Sequence, residues 1–303
     1  MPPLRLGTRG SPLALVQARM VAAALRDAHG WDADAVAIVP VRTTGDRVQD
    51  RPLAEIGGKA LWTKELDQAL LSGAIDFAVH SMKDVETIRP DAIRIAAMLP
   101  RADVRDRLVG ATSIAAISYG ARLGTSSPRR AAQVRHRRPD IVVVPFRGNV
   151  DTRLAKLAAG EADATLLAAA GLLRLGRDDV GHAIETDEML PAPAQGAVGI
   201  EARARDATTL RLLAPIDHAD THACIAAERA LLAALGADCH SPVAALARIE
   251  GRRLAINAEL LDEGGAHHVC DTITLAGPAE AARLADMLLA HAPAPIARLF
   301  AGR

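Results

Sequence analysis

Apolar and polar stretches alternate along the chain at the spacing of strand–loop–helix units. Short apolar runs of small and branched side chains are typical of strands buried on both faces of a parallel sheet. Such strands are predicted at residues 4–7, 35–41, 75–79, 93–98, 121–124, 141–146, 162–170 and 197–201. Because helix-period stretches follow several of these strands, the pattern predicts an α/β fold.

Two predicted helices begin with the same signal. The pairs Ser11-Pro12 and Ser127-Pro128 place an N-cap residue before a proline at the first helical position. The first of these helices covers residues 13–29, and its buried stripe is expected to be Leu13, Val16, Met20 and Ala24. Further predictions are a mobile loop from residue 42 and a helix opening at residues 57–59, with Trp62, Leu66, Ala69 and Leu70 on one face.

Two stretches are candidate crossing points between domains. Residues 99–107 are charged and contain proline, and residues 191–196 alternate proline with small residues. If the strand after residue 196 returns to the first domain, a cleft separates the two α/β domains. From about residue 217 the pattern changes to a small α+β module. The predicted domains are residues 1–99 with 197–215, residues 104–190, and residues 219–303.

The amino-acid composition and the net charge limit the functions that are compatible with this chain. The 303 residues are 50% hydrophobic but only 2% aromatic, and the formal net charge is zero. Nucleic-acid binding is disfavoured, since it needs a basic excess. No apolar run predicts a membrane span, the N-terminus lacks a signal-peptide core, and three cysteines without paired spacing fit a reducing compartment. A cytoplasmic location is therefore expected.

Polar side chains follow the buried strand at residues 75–79. His80, Ser81, Lys83 and Asp84 stand where the apolar run breaks. In open α/β sheets, ligands bind beyond the carboxyl ends of the strands. These residues are therefore candidates for a site, and a solvated strand end is the alternative.

Cations fall at many predicted strand ends and helix starts. Arg129 and Arg130 lie in a first helical turn, where each opposes the helix dipole by roughly 0.3–1 kcal/mol. An anionic ligand would remove that conflict, and ordinary surface charge is the alternative for any single residue. Taken together, the cations at these positions predict a cleft that binds a small molecule with several carboxylates or phosphates. The set is Arg9, Lys59, Lys83, Arg129, Arg130, Arg147, Arg153 and Arg174.

The three cysteines differ in their surroundings. Cys239 lies in a turn between a predicted helix and strand, and it is a candidate nucleophile or attachment point. Cys224 and Cys270 are expected to be structural. His218 and His222 are four residues apart but have no firm third ligand, so no metal site is predicted.

Seven short blocks, in a fixed order, carry a resemblance to a known family. They are residues 7–15 (GTRGSPLAL), 57–65 (GGKALWTKE), 78–84 (AVHSMKD), 124–130 (GTSSPRR), 147–154 (RGNVDTRL), 195–199 (QGAVG), and Cys239 with Pro242-Val243. Across almost its whole length, the chain resembles the porphobilinogen deaminase family, also called the hydroxymethylbilane synthases.

The resemblance implies a monomeric, cytoplasmic transferase of tetrapyrrole biosynthesis. Such an enzyme joins four porphobilinogen molecules head to tail, releases ammonia at each step, and frees hydroxymethylbilane by hydrolysis. The fold it implies is two periplasmic-binding-protein-like α/β domains plus a small C-terminal α+β domain. The cofactor it implies is dipyrromethane, attached as a thioether to Cys239.

The resemblance also implies roles for single residues. Asp84 matches the catalytic aspartate. The residues that match cofactor-binding positions are Cys239, Lys83, Asp84, Thr125, Ser126, Ser127, Arg129 and Arg130. The residues expected to bind substrate are Arg9, Ser11, Lys59, Ser81, Arg147, Arg153, Arg174 and Gln195. One departure from the family pattern is Asp238, which stands before Cys239 where glycine is usual.

Two other functions are compatible with parts of the pattern. A non-catalytic solute-binding protein would use the same two-lobed fold and basic cleft, but it would need neither Asp84 nor Cys239. A nucleic-acid binder could use the arginines, although the aromatic residues that bases stack on are scarce.

Overall fold

The computed structural model describes residues 3–41 and 63–302. Its contacts divide the chain into two compact units, Met1–Ala102 with Ala197–His222 and Asp103–Gly196 with Ala223–Arg303. Lys59, the predicted loop from residue 42 and the predicted helix opening at residues 57–59 lie outside the described residues. The division into three domains stays a prediction.

The first unit is built around a five-stranded sheet. Its described elements are β1 (Leu4–Arg9), α1 (Pro12–His29), β2 (Val36–Val41), α2 (Lys64–Leu71), β3 (Phe77–Ser81), a 3₁₀ turn (Met82–Asp84), β4 (Ile93–Met98), β10 (Val198–Arg203), α6 (Ala207–Leu213) and a 3₁₀ turn (Ala214–Ile216). The strand order is β2-β1-β3-β10-β4. Strand β1 is parallel to β2 and β3, whereas β10 is antiparallel to both of its neighbours.

Helix α1 buries a different face from the one that the sequence predicts. Its buried residues are Ala14, Gln17, Ala18, Val21, Ala22 and Leu25. The predicted stripe of Leu13, Val16, Met20 and Ala24 is therefore wrong by one position, and Met20 is exposed. The buried face combines three alanines with the larger Gln17, Val21 and Leu25.

The second unit contains a sheet with the same arrangement. The described elements are β5 (Asp106–Val109), β6 (Arg122–Gly124), α3 (Pro128–Arg137), β7 (Val142–Val144), α4 (Val150–Ala158), β8 (Ala164–Ala168), α5 (Ala169–Arg174) and β9 (His182–Ala183). The order is β7-β6-β8-β5-β9, with β6 parallel to β7 and β8 and with β5 antiparallel to both of its neighbours.

Strand β5 begins inside a stretch that the sequence predicts to be a crossing segment. Asp106 and Arg107 belong to this strand, and Asp106 is fully buried. The sequence pattern did not predict this strand, because its first two residues are charged and its apolar part, Leu108-Val109, is only two residues long. Two residues of the predicted crossing segment thus belong to a strand.

The C-terminal part of the second unit is an antiparallel sheet covered by helices. Its elements are α7 (Ala219–Leu235), which begins in the first unit, β11 (Val243–Glu250), β12 (Arg253–Leu261), β13 (His268–Leu275), a 3₁₀ turn (Pro278–Glu280), α8 (Ala281–His291) and α9 (Ala294–Leu299). The sheet order is β11-β12-β13. The three sheets confirm the predicted α/β fold with a small α+β part at the C-terminus. None of the described helices combines the length and hydropathy needed to cross a membrane.

Candidate active site

A pocket in the first unit lies at the carboxyl ends of two neighbouring parallel strands. It has a volume of about 430 Å³, part of it open to solvent, and Arg9, Ser11, Ser81 and Asp84 line it. Arg9 ends β1, Ser81 ends β3, and Asp84 closes the 3₁₀ turn that follows. With His80, which also lines this pocket, the structure thus brings together five of the residues that the sequence analysis selected.

Local hydrogen bonds fix the walls of this pocket. Ser11 caps α1, because its Oγ accepts a hydrogen bond from Ala14 N at 3.3 Å. Gln17 Nε2 donates to Ser81 Oγ at 2.8 Å, so α1 is joined to the end of β3. Asp84 and Lys83 are half-buried in the turn. The sequence analysis did not select Gln17, since an amide on a helix face carries no distinguishing signal.

A network of buried charges lies next to the pocket. His80, which also lines the pocket, has its Nε2 atom 3.2 Å from Glu201 Oε2. Arg89 Nε donates to Glu201 Oε1 at 2.8 Å, and Arg89 also pairs with Glu86 at 2.7 Å and with Asp67. Burial alone would raise the pKa of Glu201, but the charges of His80 and Arg89 and the hydrogen bonds from Arg89 outweigh it and lower that pKa to about 2.

A turn of hydroxyl side chains leads into α3 in the second unit. Thr125 is buried and its Oγ1 accepts a hydrogen bond from Ser127 N at 3.2 Å. Ser127 is the N-cap of α3, and its Oγ accepts from Arg130 N at 3.4 Å. Ser126 is exposed and donates to Phe146 O at 2.9 Å. These three predicted residues therefore lie together at one helix start.

Arg129 and Arg130 share one buried carboxylate, which the sequence analysis missed. Asp106 Oδ2 accepts from Arg129 Nη2 at 2.8 Å, and Asp106 Oδ1 accepts from Arg130 Nη2 at 2.7 Å. Gln195 Nε2 donates to the same Oδ1 at 3.0 Å. Although burial would raise the pKa of Asp106, the two guanidinium groups lower it well below its ordinary value. Burial in turn lowers the pKa of Arg129.

The remaining predicted cations lie on other segments of the second unit. Arg153 Nε donates to Gly148 O at 3.0 Å, in the loop that also holds Arg147. Arg174 Nη2 donates to Gly196 O at 2.7 Å, and burial lowers the pKa of Arg174. All three side chains are half-buried.

The loop that carries Cys239 ends helix α7 and precedes β11. The Cys239 side chain is exposed. The neighbouring carboxylate of Asp238 belongs to the turn itself, since its Oδ1 accepts a hydrogen bond from His240 N at 2.8 Å. Cys224 is buried as predicted, whereas Cys270 is exposed on β13. His218 and His222 have hydrogen-bonding partners of their own in Thr221 and Asp217.

Comparisons with known proteins match nearly the whole chain. Residues 4–211 match the family model described as "Porphobilinogen deaminase, dipyromethane cofactor binding domain", and residues 222–291 match "Porphobilinogen deaminase, C-terminal domain". The chain belongs to the porphobilinogen deaminase family. A porphobilinogen deaminase of Sphingopyxis alaskensis is 61% identical over 305 residues, covering 99% of this chain and 97% of that protein. One of Paracoccus denitrificans is 51% identical, covering 96% and 95%.

The solved structures that resemble this chain share much less sequence identity with it than these two relatives do. A periplasmic binding protein of Salmonella typhimurium, whose description refers to high arginine specificity, is 12% identical with a TM-score of 0.40, covering 71% of this chain and 92% of that one.

The family model is named for a dipyromethane cofactor, so the second unit can be tested for its fit to a group that bears carboxylates. Arg129 Nε and Arg130 Nε are buried and donate to no acceptor among the described residues. A buried donor left without an acceptor costs about 1–3 kcal/mol. The group formed by Asp106, Arg129 and Arg130 also carries one positive charge in excess, which the buried carboxylate of Glu259 near Arg129 partly offsets. Both features fit a carboxylate-bearing cofactor of this family.

Proposed function

We propose that this chain is a transferase that condenses four porphobilinogen molecules head to tail and hydrolyses the product to hydroxymethylbilane. The observation that carries the proposal is the 61% identity to a porphobilinogen deaminase over 99% of the chain. The position of Asp84 and Arg9 on one pocket supports it. In this proposal the protein acts as a cytoplasmic monomer with three domains.

The cations of the chain suit a substrate with two acidic side chains. Porphobilinogen carries an acetate and a propionate, and a growing chain of pyrroles adds two carboxylates with each unit. A guanidinium binds a carboxylate through paired N–H donors. In the proposal, Arg9 and Ser11 bind the incoming substrate together with Ser81 and Gln195. The other residues assigned to the substrate and the growing chain are Lys59, Arg147, Arg153 and Arg174.

Asp84 is proposed to stabilise the positive charge that develops during the reaction. When the bond between the aminomethyl carbon and nitrogen breaks, ammonia leaves with the bonding pair and the pyrrole becomes cationic. A fixed carboxylate next to that charge lowers the barrier, and loss of such a group costs on the order of 10²–10³ in turnover. Asp84 can supply this charge because it ends a short turn that β3 holds in place.

Most of the residues that are proposed to hold the cofactor belong to the second unit. When it is bound, dipyrromethane supplies the primer to which the condensed pyrroles are joined. Cys239 is the proposed site of a thioether bond, for which an exposed thiol in a turn is accessible. The residues proposed to bind the carboxylates of the cofactor are Lys83, Thr125, Ser126, Ser127, Arg129 and Arg130.

Intact mass and turnover of the purified protein test the proposal together. We expect a mass above that of the bare chain by two porphobilinogen-derived units, and conversion of porphobilinogen to hydroxymethylbilane with release of ammonia. Cys239→Ser should lose the added mass. Cys270→Ser, which changes another exposed cysteine of the same unit, should keep it.

Asp84→Asn should keep the covalent cofactor but lose turnover by about 10²–10³-fold, because the amide has the same shape without the charge. Binding of porphobilinogen without turnover by the wild-type protein would contradict the enzyme assignment and favour a solute-binding protein. Retention of the added mass in Cys239→Ser would contradict the attachment site alone.

A further inference from the structure

His80 is the one imidazole among the described side chains that line the pocket of the first unit. It precedes Ser81 at the end of β3, and its side chain is 5% exposed. The other ionisable side chains on that wall are Arg9 and Asp84. Arginine keeps its proton at all ordinary pH values, and Asp84 is assigned to charge stabilisation. Among these residues, His80 is therefore the one whose side chain can both accept and donate a proton at its ring nitrogens.

The partner of His80 fixes which ring nitrogen can accept that proton. Nε2 lies 3.2 Å from Glu201 Oε2. This contact has the distance of an ion pair, and Nε2 makes no hydrogen bond of good geometry to any described residue. Because a lone pair on Nε2 would face a negative oxygen, the neutral ring keeps its proton on Nε2 and leaves the Nδ1 lone pair as an acceptor. The pairing of an imidazole with a buried carboxylate also stabilises the imidazolium that forms when Nδ1 is protonated.

Buried contacts hold Glu201 in place, so that its carboxylate can orient the His80 ring. Glu201 lies on β10, the strand that pairs with β3, and it is fully buried. Arg89 holds both of its oxygens, through Nε at 2.8 Å and Nη2 at 2.9 Å. Asp67 of α2 and Glu86 pair with the same guanidinium from the other side. The charged groups around His80 are thus Glu201 with this cluster behind it, and Arg9 and Asp84 on the pocket wall.

The proposed reaction needs a base. In each condensation the bond from the aminomethyl carbon to nitrogen breaks, and a ring carbon of the other pyrrole forms a bond to that aminomethyl carbon. This ring carbon then loses its proton, and the C–H electrons restore the aromatic ring. Because the aminomethyl group reacts as an ammonium, one ammonia and one proton are released at each step, and together they form ammonium.

We propose that His80, held by Glu201, is the general base that takes the proton from the ring carbon through Nδ1 and passes it to the departing ammonia. This inference rests on the proposed function, because it concerns the condensation of porphobilinogen. After the transfer the imidazole is neutral again, with its proton on Nε2, and is ready for the next condensation.

His80→Asn tests the proposal, with His222→Asn as a matched control. His222 belongs to the same unit and also pairs with a carboxylate, its Nδ1 lying 2.9 Å from Asp217 Oδ1, but it does not line the pocket. Loss of a general base lowers the rate by about 10²–10⁴-fold. We expect a fall of this size in the kcat of His80→Asn, a KM within about twofold of wild type, and unchanged kinetics for His222→Asn.

An isotope effect separates a base from a merely structural residue. Porphobilinogen with deuterium at its free ring carbon should show a larger isotope effect on kcat with His80→Asn than with the wild type, because removal of that proton becomes rate-limiting. A folded His80→Asn with wild-type kcat, or one that is slow with no increase in the isotope effect, would overturn the proposal.

The position of the proton on the His80 ring can be measured without turnover. In histidine-labelled wild-type protein, ¹⁵N NMR should show the neutral His80 ring protonated at Nε2, and a ring protonated at Nδ1 would overturn the proposal even if the variant does not fold. If the wild-type protein itself converts no porphobilinogen, the proposed function fails. Normal turnover by both the wild type and His80→Asn contradicts only the role of His80.

Discussion

At the scale of single residues, two buried carboxylates organise the charged interior. Asp106 holds Arg129 and Arg130, and Glu201 holds Arg89 and His80. The sequence analysis selected the arginines at the start of α3 as sites for an external anion and did not foresee their internal partner. Their position was predictable from the Ser-Pro signal, whereas the pairing was not, because Asp106 lies 23 and 24 residues away in the chain.

Glu201→Gln should reveal the stability that the buried carboxylate supplies. The pKa of Glu201 in the folded protein is about 2, below its ordinary value of 4.5. A group with a lowered pKa stabilises the fold above its ordinary pKa and loses that contribution as the pH falls. A difference of this size corresponds to roughly 3 kcal/mol. Urea unfolding should therefore show wild type more stable than Glu201→Gln at pH 7, by a margin that narrows as the pH is lowered below 4.5.

The surface variant Glu263→Gln provides the control, since Glu263 is exposed. Its stability relative to wild type should change little over the same pH range. A gap between wild type and Glu201→Gln that stayed constant down to the lowest pH at which both are folded would contradict the assignment of the carboxylate as ionised.

At the scale of elements, the turn that ends at Asp84 depends on a glycine in the neighbouring strand. A Cβ added to Gly199 of β10 would lie 2.0 Å from Met82 Sδ and 3.2 Å from Met98 Sδ. Met82 is almost fully buried and opens the 3₁₀ turn that ends at Asp84. Its backbone N–H donates to Ala197 O at 3.1 Å. Because Met82 is enclosed, a larger residue at position 199 must push on the turn.

Gly199→Ala should reduce both stability and turnover. Overpacking of a filled core costs about 1–3 kcal/mol, and a displaced Asp84 would lower kcat. Thermal unfolding and the porphobilinogen assay measure the two effects on the same preparation. Gly277→Ala is the control, since nothing lies within 4 Å of a Cβ added there. Equal stability and kcat in the two variants would show that the turn does not depend on this contact.

Several strands and helix starts were predictable from sequence patterns, but the buried face of one helix was not. Strands β1 and β3, and the helix starts at Ser11-Pro12 and Ser127-Pro128, were predictable because each depends on neighbours in the chain. The buried face of α1 was predicted wrongly by one position. Apolar residues recur at helical spacing on both of the adjacent faces, so periodicity could not select between them, and only the packed structure shows which face is buried.

At the scale of the whole molecule, one glutamate connects three segments of the second unit. Glu228 of α7 is fully buried. Its Oε2 accepts a hydrogen bond from Ala194 N at 2.6 Å, and its Oε1 accepts from Ala247 N at 2.7 Å on β11. Ala194 has a positive φ of 61°, which is uncommon for a residue with a side chain, and it precedes Gln195. The carboxylate thus holds a strained segment next to the residue that contacts Asp106.

Glu228→Gln should destabilise the fold by about 1–3 kcal/mol, because an amide can accept only one of the two backbone hydrogen bonds and leaves the other N–H buried without an acceptor. Chemical denaturation measures this cost. In the control Glu280→Gln, the side chain is 40% exposed and accepts one backbone hydrogen bond, from Ala276 N at 3.0 Å, so an amide can replace it. Similar losses in both variants would contradict the argument.

The sequence by itself determined the α/β fold class, the family, and the positions of Asp84, Arg9, Cys239 and the two arginines at the start of α3. These features depend on local spacing and on short motifs, which the chain carries in any conformation. The tertiary structure alone decided that β10 pairs with β3 and that Glu201 meets His80 and Arg89. Contacts of that kind join residues about a hundred positions apart in the chain. Many such pairs are possible in the sequence, and the folded sheets determine which of them form, because they bring distant strands together.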